Sequence, residues 1–155
     1  MLVRVYLHTV PPQLDMSAIE NCVCFNLHRV TRLVTQFYDA EMRQYGIRPT
    51  QATILQALNA KENWSMAELS SWLGMERTTL VRNLQPLQRD GWAESVGGGR
   101  GSRVEISITA KGRKKIKESW SAWSLAQSTA VQTLGEKRWS AILSDLETAA
   151  LALWK

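Results

Sequence analysis

Residues 65–91, SMAELSSWLGMERTTLVRNLQPLQRDG, constrain the fold more than any other stretch of the chain. Ser65 stands three residues before Glu68, the spacing at which a serine hydroxyl and a glutamate carboxylate satisfy each other's backbone N–H groups at a helix start. The short helix that begins there stops at Gly74. Met75 leads into a second helix of about four turns that ends at Gly91, with Leu80, Leu84 and Leu87 on one stripe. Arg77, Thr78, Thr79, Arg82, Asn83, Gln85 and Arg89 cover much of its remaining surface.

The elements around this pair complete a pattern. Arg48-Pro49-Thr50 opens a helix with Ile54, Leu55 and Leu58 on its apolar side. Downstream, 92–96 and 103–108 are short strand candidates joined by a glycine-rich loop, GGGRG. In the second strand Val104, Ile106 and Ile108 point one way and Arg103, Glu105 and Ser107 the other. Thr109 caps a long helix carrying Ile116, Trp120, Trp123 and Ala126/Gln127 on one side, and a last helix from about Glu136 carries Trp139, Ile142, Leu143, Leu146, Ala150 and Leu153. Before all of these, Ser17 caps a helix running to about Tyr45 and closed by Gly46. Val23, Leu27, Val30, Val34 and Phe37 make a heptad-like seam along it. Residues 1–15 stand apart, stopped by Pro11-Pro12. They read equally as an extension upstream of Met16 and as an arm on a partner subunit.

Two capped helices joined by a tight turn and followed by a basic hairpin make a winged helix-turn-helix. The expected fold is mainly α with a small β-hairpin wing, flanked at both ends by long dimerisation helices. Those helices cover 16–46 and 109–155, and the winged helix-turn-helix covers 48–108, inside one domain of 16–155.

Charge points to the partner. Between Gly97 and Lys117 seven bases face one acid, Glu105, a surplus that exceeds the net +5 of the whole chain. A basic face of this kind is the footprint of a nucleic-acid binder. With 45% hydrophobic residues the chain has enough apolar surface for a core, yet its apolar runs fall far short of the roughly 20 residues of a membrane span. Two cysteines and no secretory leader pattern read as a cytoplasmic chain without a disulfide framework. An enzyme is not expected: there is no Gly-rich phosphate loop, no HExxH, and the only histidines are His8 and His28. No cofactor is implied.

From Met16 onward the sequence resembles the MarR family of regulators, through RPTQATILQAL, SMAELSSWLGMERTTLVRNLQPLQRDGW and VEISITAKG. The resemblance implies a homodimer on a pseudo-palindromic DNA operator, usually as a repressor. Arg77, Thr78 and Thr79 would stand at the N-terminal end of the groove-entering helix, with Arg82 and Asn83 a turn later. Pro86, which removes one helical hydrogen bond, is tolerated in the family and implies a bend where the helix leaves the groove. At the wing tip the family's aspartate and arginine positions hold Arg100 and Ser102. Arg100 and Arg103 therefore contact DNA by charge, with Lys111 at the phosphates beyond. The alternative reading is a nucleic-acid-binding architectural protein without sequence preference.

CVCFNLHR, residues 22–29, carries the remaining chemistry. On a helix, residues two apart point about 200° from one another, so Cys22 and Cys24 neither share a metal nor bridge without unwinding it. Cys24 and His28, four apart, share a face beside the seam. The segment is similar to the one holding the peroxidatic cysteine in the OhrR-like, hydroperoxide-sensing branch of the family. That similarity places Cys24 at the reactive position and Tyr38 at a supporting tyrosine, while Pro49 and His28 replace others. Tyr38 lies fourteen residues on, roughly 21 Å along one helix, so it would reach Cys24 only from the dimer mate. Three roles stay open for Cys24: buried hydrophobe, redox sensor of an organic peroxide, or part of a ligand or metal site. A small aromatic or phenolic ligand between dimer helices and DNA-binding core is compatible with all three.

Overall fold

The computed structural model describes residues 16–97 and 104–153. The expectations for residues 1–15 and for Arg100, Ser102 and Arg103 lie outside the described residues. Among the described residues seven helices and three short strands follow one another as α1 (Met16–Glu20), α2 (Val23–Met42), α3 (Pro49–Ala60), β1 (Trp64–Ser65), α4 (Met66–Leu73), α5 (Arg77–Arg89), β2 (Ala93–Val96), β3 (Glu105–Ile108), α6 (Ala110–Leu134) and α7 (Glu136–Leu153), with a 3-10 turn at Arg43–Tyr45. The chain divides into two compact units, Met1–Gln36 and Phe37–Lys155.

In the first unit the expected single helix is broken. α1 begins at Met16, so Ser17 lies inside it rather than capping it, and the helix stops at Glu20. Asn21 and Cys22 form the interruption. The Asn26 side-chain amide donates to the carbonyls of Glu20 (2.6 Å) and Cys22 (2.9 Å), giving the Glu20 carbonyl a partner that an unbroken helix would have supplied from Cys24. The seam residues Val23, Leu27, Val30 and Val34 are all exposed.

The second unit is the expected winged helix-turn-helix with one addition. β1 pairs antiparallel with β3 through Trp64↔Ile106 and Ser65↔Glu105, making a three-stranded sheet of order β1-β3-β2. A two-residue strand carries no periodicity, and Ser65 is legible only as the helix cap that it also is. Its hydroxyl accepts from the Glu68 N–H at 3.2 Å, and the Glu68 carboxylate accepts from the Ser65 N–H at 2.9 Å. The β2–β3 hairpin runs in register from Ala93↔Ile108 to Val96↔Glu105. Ile106 and Ile108 face inward as the alternation requires, whereas Val104, just outside the strand, is exposed.

Helix ends follow local chemistry. Arg48 N–H donates to the Gln51 side chain (2.9 Å) ahead of Pro49 at the first position of α3. α5 continues through Pro86 to Arg89. It ends in a Schellman turn: Gly91 N–H reaches the Gln88 carbonyl (3.0 Å), Trp92 N–H reaches Leu87 (2.7 Å), and Gly91 takes φ +70°.

Leu80 and Leu87 are fully buried and Leu84 nearly so, in one core with Ile54, Leu55, Leu58 and Leu69. α6 packs differently from its sequence reading. Its buried face is Gly112, Ser119, Ala122 and Ala126, while Trp120 is exposed and Ile116 and Trp123 sit at the edge of the core. Small side chains let the helix axis approach closely. A Cβ on Gly112 would lie 2.1 Å from the Trp92 carbonyl oxygen and 2.8 Å from Ile108 Cγ1. α7 buries none of its residues.

Candidate nucleic-acid interface

The buried leucine stripe orients everything else on α5. With Leu80, Leu84 and Leu87 turned inward, Arg77, Thr78, Val81, Arg82 and Gln85 are turned to solvent on the opposite face, and Thr79 and Asn83 flank it half-buried. The first turn of α5 contains no acid, and its N-cap, Glu76, makes no side-chain cap bond. The positive end of the helix dipole and the open first-turn N–H groups therefore meet solvent beside Arg77. Ser65 and Glu68 set the start of α4, and Gly74, at φ +61°, turns the chain into α5.

Five of the residues expected at DNA thus share one end of one helix. Asn83 is the least free of them, because its side-chain amide donates to the Thr79 carbonyl at 2.9 Å. Val81 was not legible as a site residue. Its signal is spacing, three after Thr78 and one before Arg82, and it is 40% exposed on the same face. Lys111 is not part of this group. It stands at the far end of α5, its side chain against Gly91.

A second feature lies between α3 and α6. Asn59, Arg113, Ile116, Lys117, Trp120 and Ser121 line a cleft of about 540 Å³. The α6 residues fall three or four apart and form one stripe. Trp120, stacked on Trp123 with centroids 4.9 Å apart, supplies an aromatic wall, and Arg113 and Lys117 supply positive charge.

The expected sensor residues are dispersed. Cys22 and Cys24 are free thiols and both exposed, as is His28. Because the helix is already interrupted at Cys22, the helical-geometry argument against contact between the two sulfurs does not apply. In the other unit, the Tyr38 hydroxyl donates to Gln127 Oε1 of α6, and burial raises its pKa above the ordinary tyrosine value.

No family model matches the sequence. The fold is that of solved regulators. The transcriptional regulator MosR of M. tuberculosis, solved in complex with DNA, is 31% identical, with 85% of this chain and 96% of that one covered at a TM-score of 0.75. The repressor CouR bound to p-coumaroyl-CoA is 22% identical over 89% of this chain and 98% of its own, with a TM-score of 0.76. A MarR-family regulator from Silicibacter pomeroyi is 20% identical over 92% and 97%, with a TM-score of 0.67. Among the described residues no helix is long and apolar enough to cross a membrane. With a three-stranded winged helix-turn-helix, an open basic edge on its second helix and a relative of this identity along nearly its whole length, the chain belongs to the MarR family of winged-helix, DNA-binding transcriptional regulators.

Proposed function

We propose that the protein is a homodimeric repressor that reads a pseudo-palindromic operator with α5. The carrying observation is the solvent-facing edge of that helix, Arg77, Thr78 and Arg82, held rigid by the buried leucines behind it. Arg82 pairs with a guanine edge. Thr78 and Thr79 meet phosphate or a thymine methyl, and Asn83 reads adenine after releasing the Thr79 carbonyl. Arg100 and Arg103 add a charge contact from the wing. The test is Arg82→Ala: affinity for the operator falls by roughly 1–3 kcal/mol, with a much smaller loss on random DNA. Equal losses on both would establish architectural binding without sequence preference instead.

The dimer is formed by the segments 16–46 and 109–155. Support comes from surface that one protomer leaves open: the apolar seam of α2, and Leu143, Leu146, Leu151 and Leu153 on α7, all exposed. A soluble monomer rarely leaves apolar stripes of this size uncovered. Sedimentation at micromolar concentration is expected to give twice the mass of 17.5 kDa; a monomer mass ends this reading.

Release follows from a small aromatic acid or from oxidation. The cleft at Trp120 supports the first, because an aromatic ring stacks on that indole while a carboxylate meets Arg113 or Lys117, and CouR, with the same fold, is solved with an aromatic acyl thioester. Cys24 remains the oxidation candidate by its resemblance to the OhrR-like segment, but Tyr38 is committed to Gln127 within its own chain. The free position of Cys22 adds a second exposed thiol to the same test. DNA release is compared for organic peroxide and a salicylate-like acid on the wild type and on Cys24→Ser. Release by peroxide that survives in Cys24→Ser removes Cys24 from the mechanism.

A further inference from the structure

The bases that follow the wing do not extend the DNA-reading edge of α5. Lys111, Lys114 and Lys115 project from the first two turns of α6 toward the opposite end of α5, where with Arg89, Asp90, Trp92 and Glu118 they line a cleft of about 560 Å³. That volume suits a small molecule. We propose that this cleft binds a phosphorylated small molecule carrying two or more negative charges, a site separate from the DNA contacts.

Its walls are fixed by backbone chemistry. The Thr109 side chain donates to the Gly91 carbonyl (2.7 Å) and accepts from the Gly112 N–H (3.0 Å), while Thr109 N–H donates to the Trp92 carbonyl (3.1 Å). The end of α5 and the start of α6 are thereby tied together as one rigid rim. Lys115 is held in place, its ammonium over the Trp92 ring at 4.9 Å from the centroid and bonded to the Tyr45 carbonyl at 2.9 Å. The Lys111 side chain lies against Gly91.

Charge at the site is unbalanced. Four cations face two carboxylates: Arg89 is hydrogen-bonded to Asp90 at 3.1 Å and Lys114 stands 3.8 Å from Glu118, both cations largely exposed, which leaves Lys111 and Lys115 without a carboxylate partner among the lining residues. Helix starts favour acids, yet the first turn of α6 has none. The lysines therefore add like charge to the positive end of a 25-residue helix. An oxyanion in the cleft relieves this surplus of positive charge by accepting from the lysine ammonium groups.

Position argues for a free anion rather than the operator backbone. α5 has 13 residues, so its two ends are roughly 18 Å apart at 1.5 Å per residue. The major groove is only about 8.5 Å deep. A helix entering it with Arg77 foremost leaves the cleft beyond its rim.

The experiment is calorimetric titration of the DNA-free protein with sodium pyrophosphate, ionic strength held constant with sodium chloride. The wild type is compared with Lys111→Gln/Lys114→Gln and with Lys137→Gln/Arg138→Gln, a double of equal charge on α7. Expected are one pyrophosphate per chain, a Kd at least about tenfold weaker in Lys111→Gln/Lys114→Gln, and an unchanged Kd in the α7 double. Equal weakening in both doubles, or no binding by the wild type, overturns the proposal. So does a Lys111→Gln/Lys114→Gln protein that keeps pyrophosphate affinity and loses operator affinity, which would make these lysines DNA contacts.

Discussion

α5 and α7 carry similar apolar patterns and meet opposite fates. On α5 the stripe Leu80, Leu84 and Leu87 disappears into the core of its own chain. On α7 Leu143 and Leu146 stand at the same kind of spacing, yet each is 42% exposed and no residue of the helix is buried. Helical periodicity says that a face seeks burial; it does not say which chain supplies the other side. The first face completes the core of its own chain, and the second stays open to solvent in the single chain. In the proposed dimer the two faces divide the labour: one supports α5 from within its own chain, and the other joins two copies.

The comparison is broken most sharply by truncating the two faces. Leu80→Ala is expected to cost about 2–5 kcal/mol of unfolding free energy, since it removes buried contacts and leaves a cavity behind the recognition helix. Urea unfolding followed by circular dichroism checks this; a loss under about 1 kcal/mol would mean that the stripe is not the support described. Next, Gly112→Ala is expected to cost about 1–3 kcal/mol by forcing α6 off the Trp92 carbonyl. An unchanged melting temperature would refute the close approach.

Leu143→Ala/Leu146→Ala sharpens the contrast from the other side. The fold of the protomer survives, while the dimer dissociation constant rises about tenfold or more, read by sedimentation across a dilution series. A double variant that unfolds like Leu80→Ala, without any change in association, would place α7 in the core instead.

The smallest effect separates an exposed cap from both faces. Glu68, bonded to Lys61 and to Ser65, has its carboxyl lowered from the usual 4.5 to about 2. A carboxylate with a depressed folded-state pKa contributes stability that is complete above its unfolded value and fades as pH falls from about 4.5 toward 2. Glu68→Gln should therefore flatten that part of the stability–pH curve, slightly, because the group is open to solvent. An identical curve for both proteins would show the cap to be energetically silent.

Several elements were readable before any coordinates because their chemistry is local. The Ser65–Glu68 cap, Gly74, the leucine stripe and the end of α5 at Gly91 each depend on residues within one or two turns. The same locality made Arg77, Thr78 and Arg82 legible as an outward edge, since a stripe that is buried fixes its opposite. The break at Asn21–Cys22 was not readable in this way, because the helical pattern of α2 extends back across it. The Asn26 amide that terminates α1 is a single polar residue with many equivalent alternatives.

The helix-turn-helix with its caps and its leucine stripe follows from near-neighbour spacing, and the basic surplus from composition. Only the tertiary structure decided what touches what across long separations. It recruited Trp64-Ser65 as a third strand on β3 and put the small residues of α6 deepest in the core, with Trp123 packed at its edge and Trp120 exposed. It also set Lys111, Lys114 and Lys115 beside Arg89 and Trp92 at the C-terminal end of α5. The physical reason is common to all three: charge and hydrophobicity are properties of single residues, whereas close approach depends on the shape of two surfaces. The close approach of Gly112 to the Trp92 carbonyl is visible only once both backbones are in place.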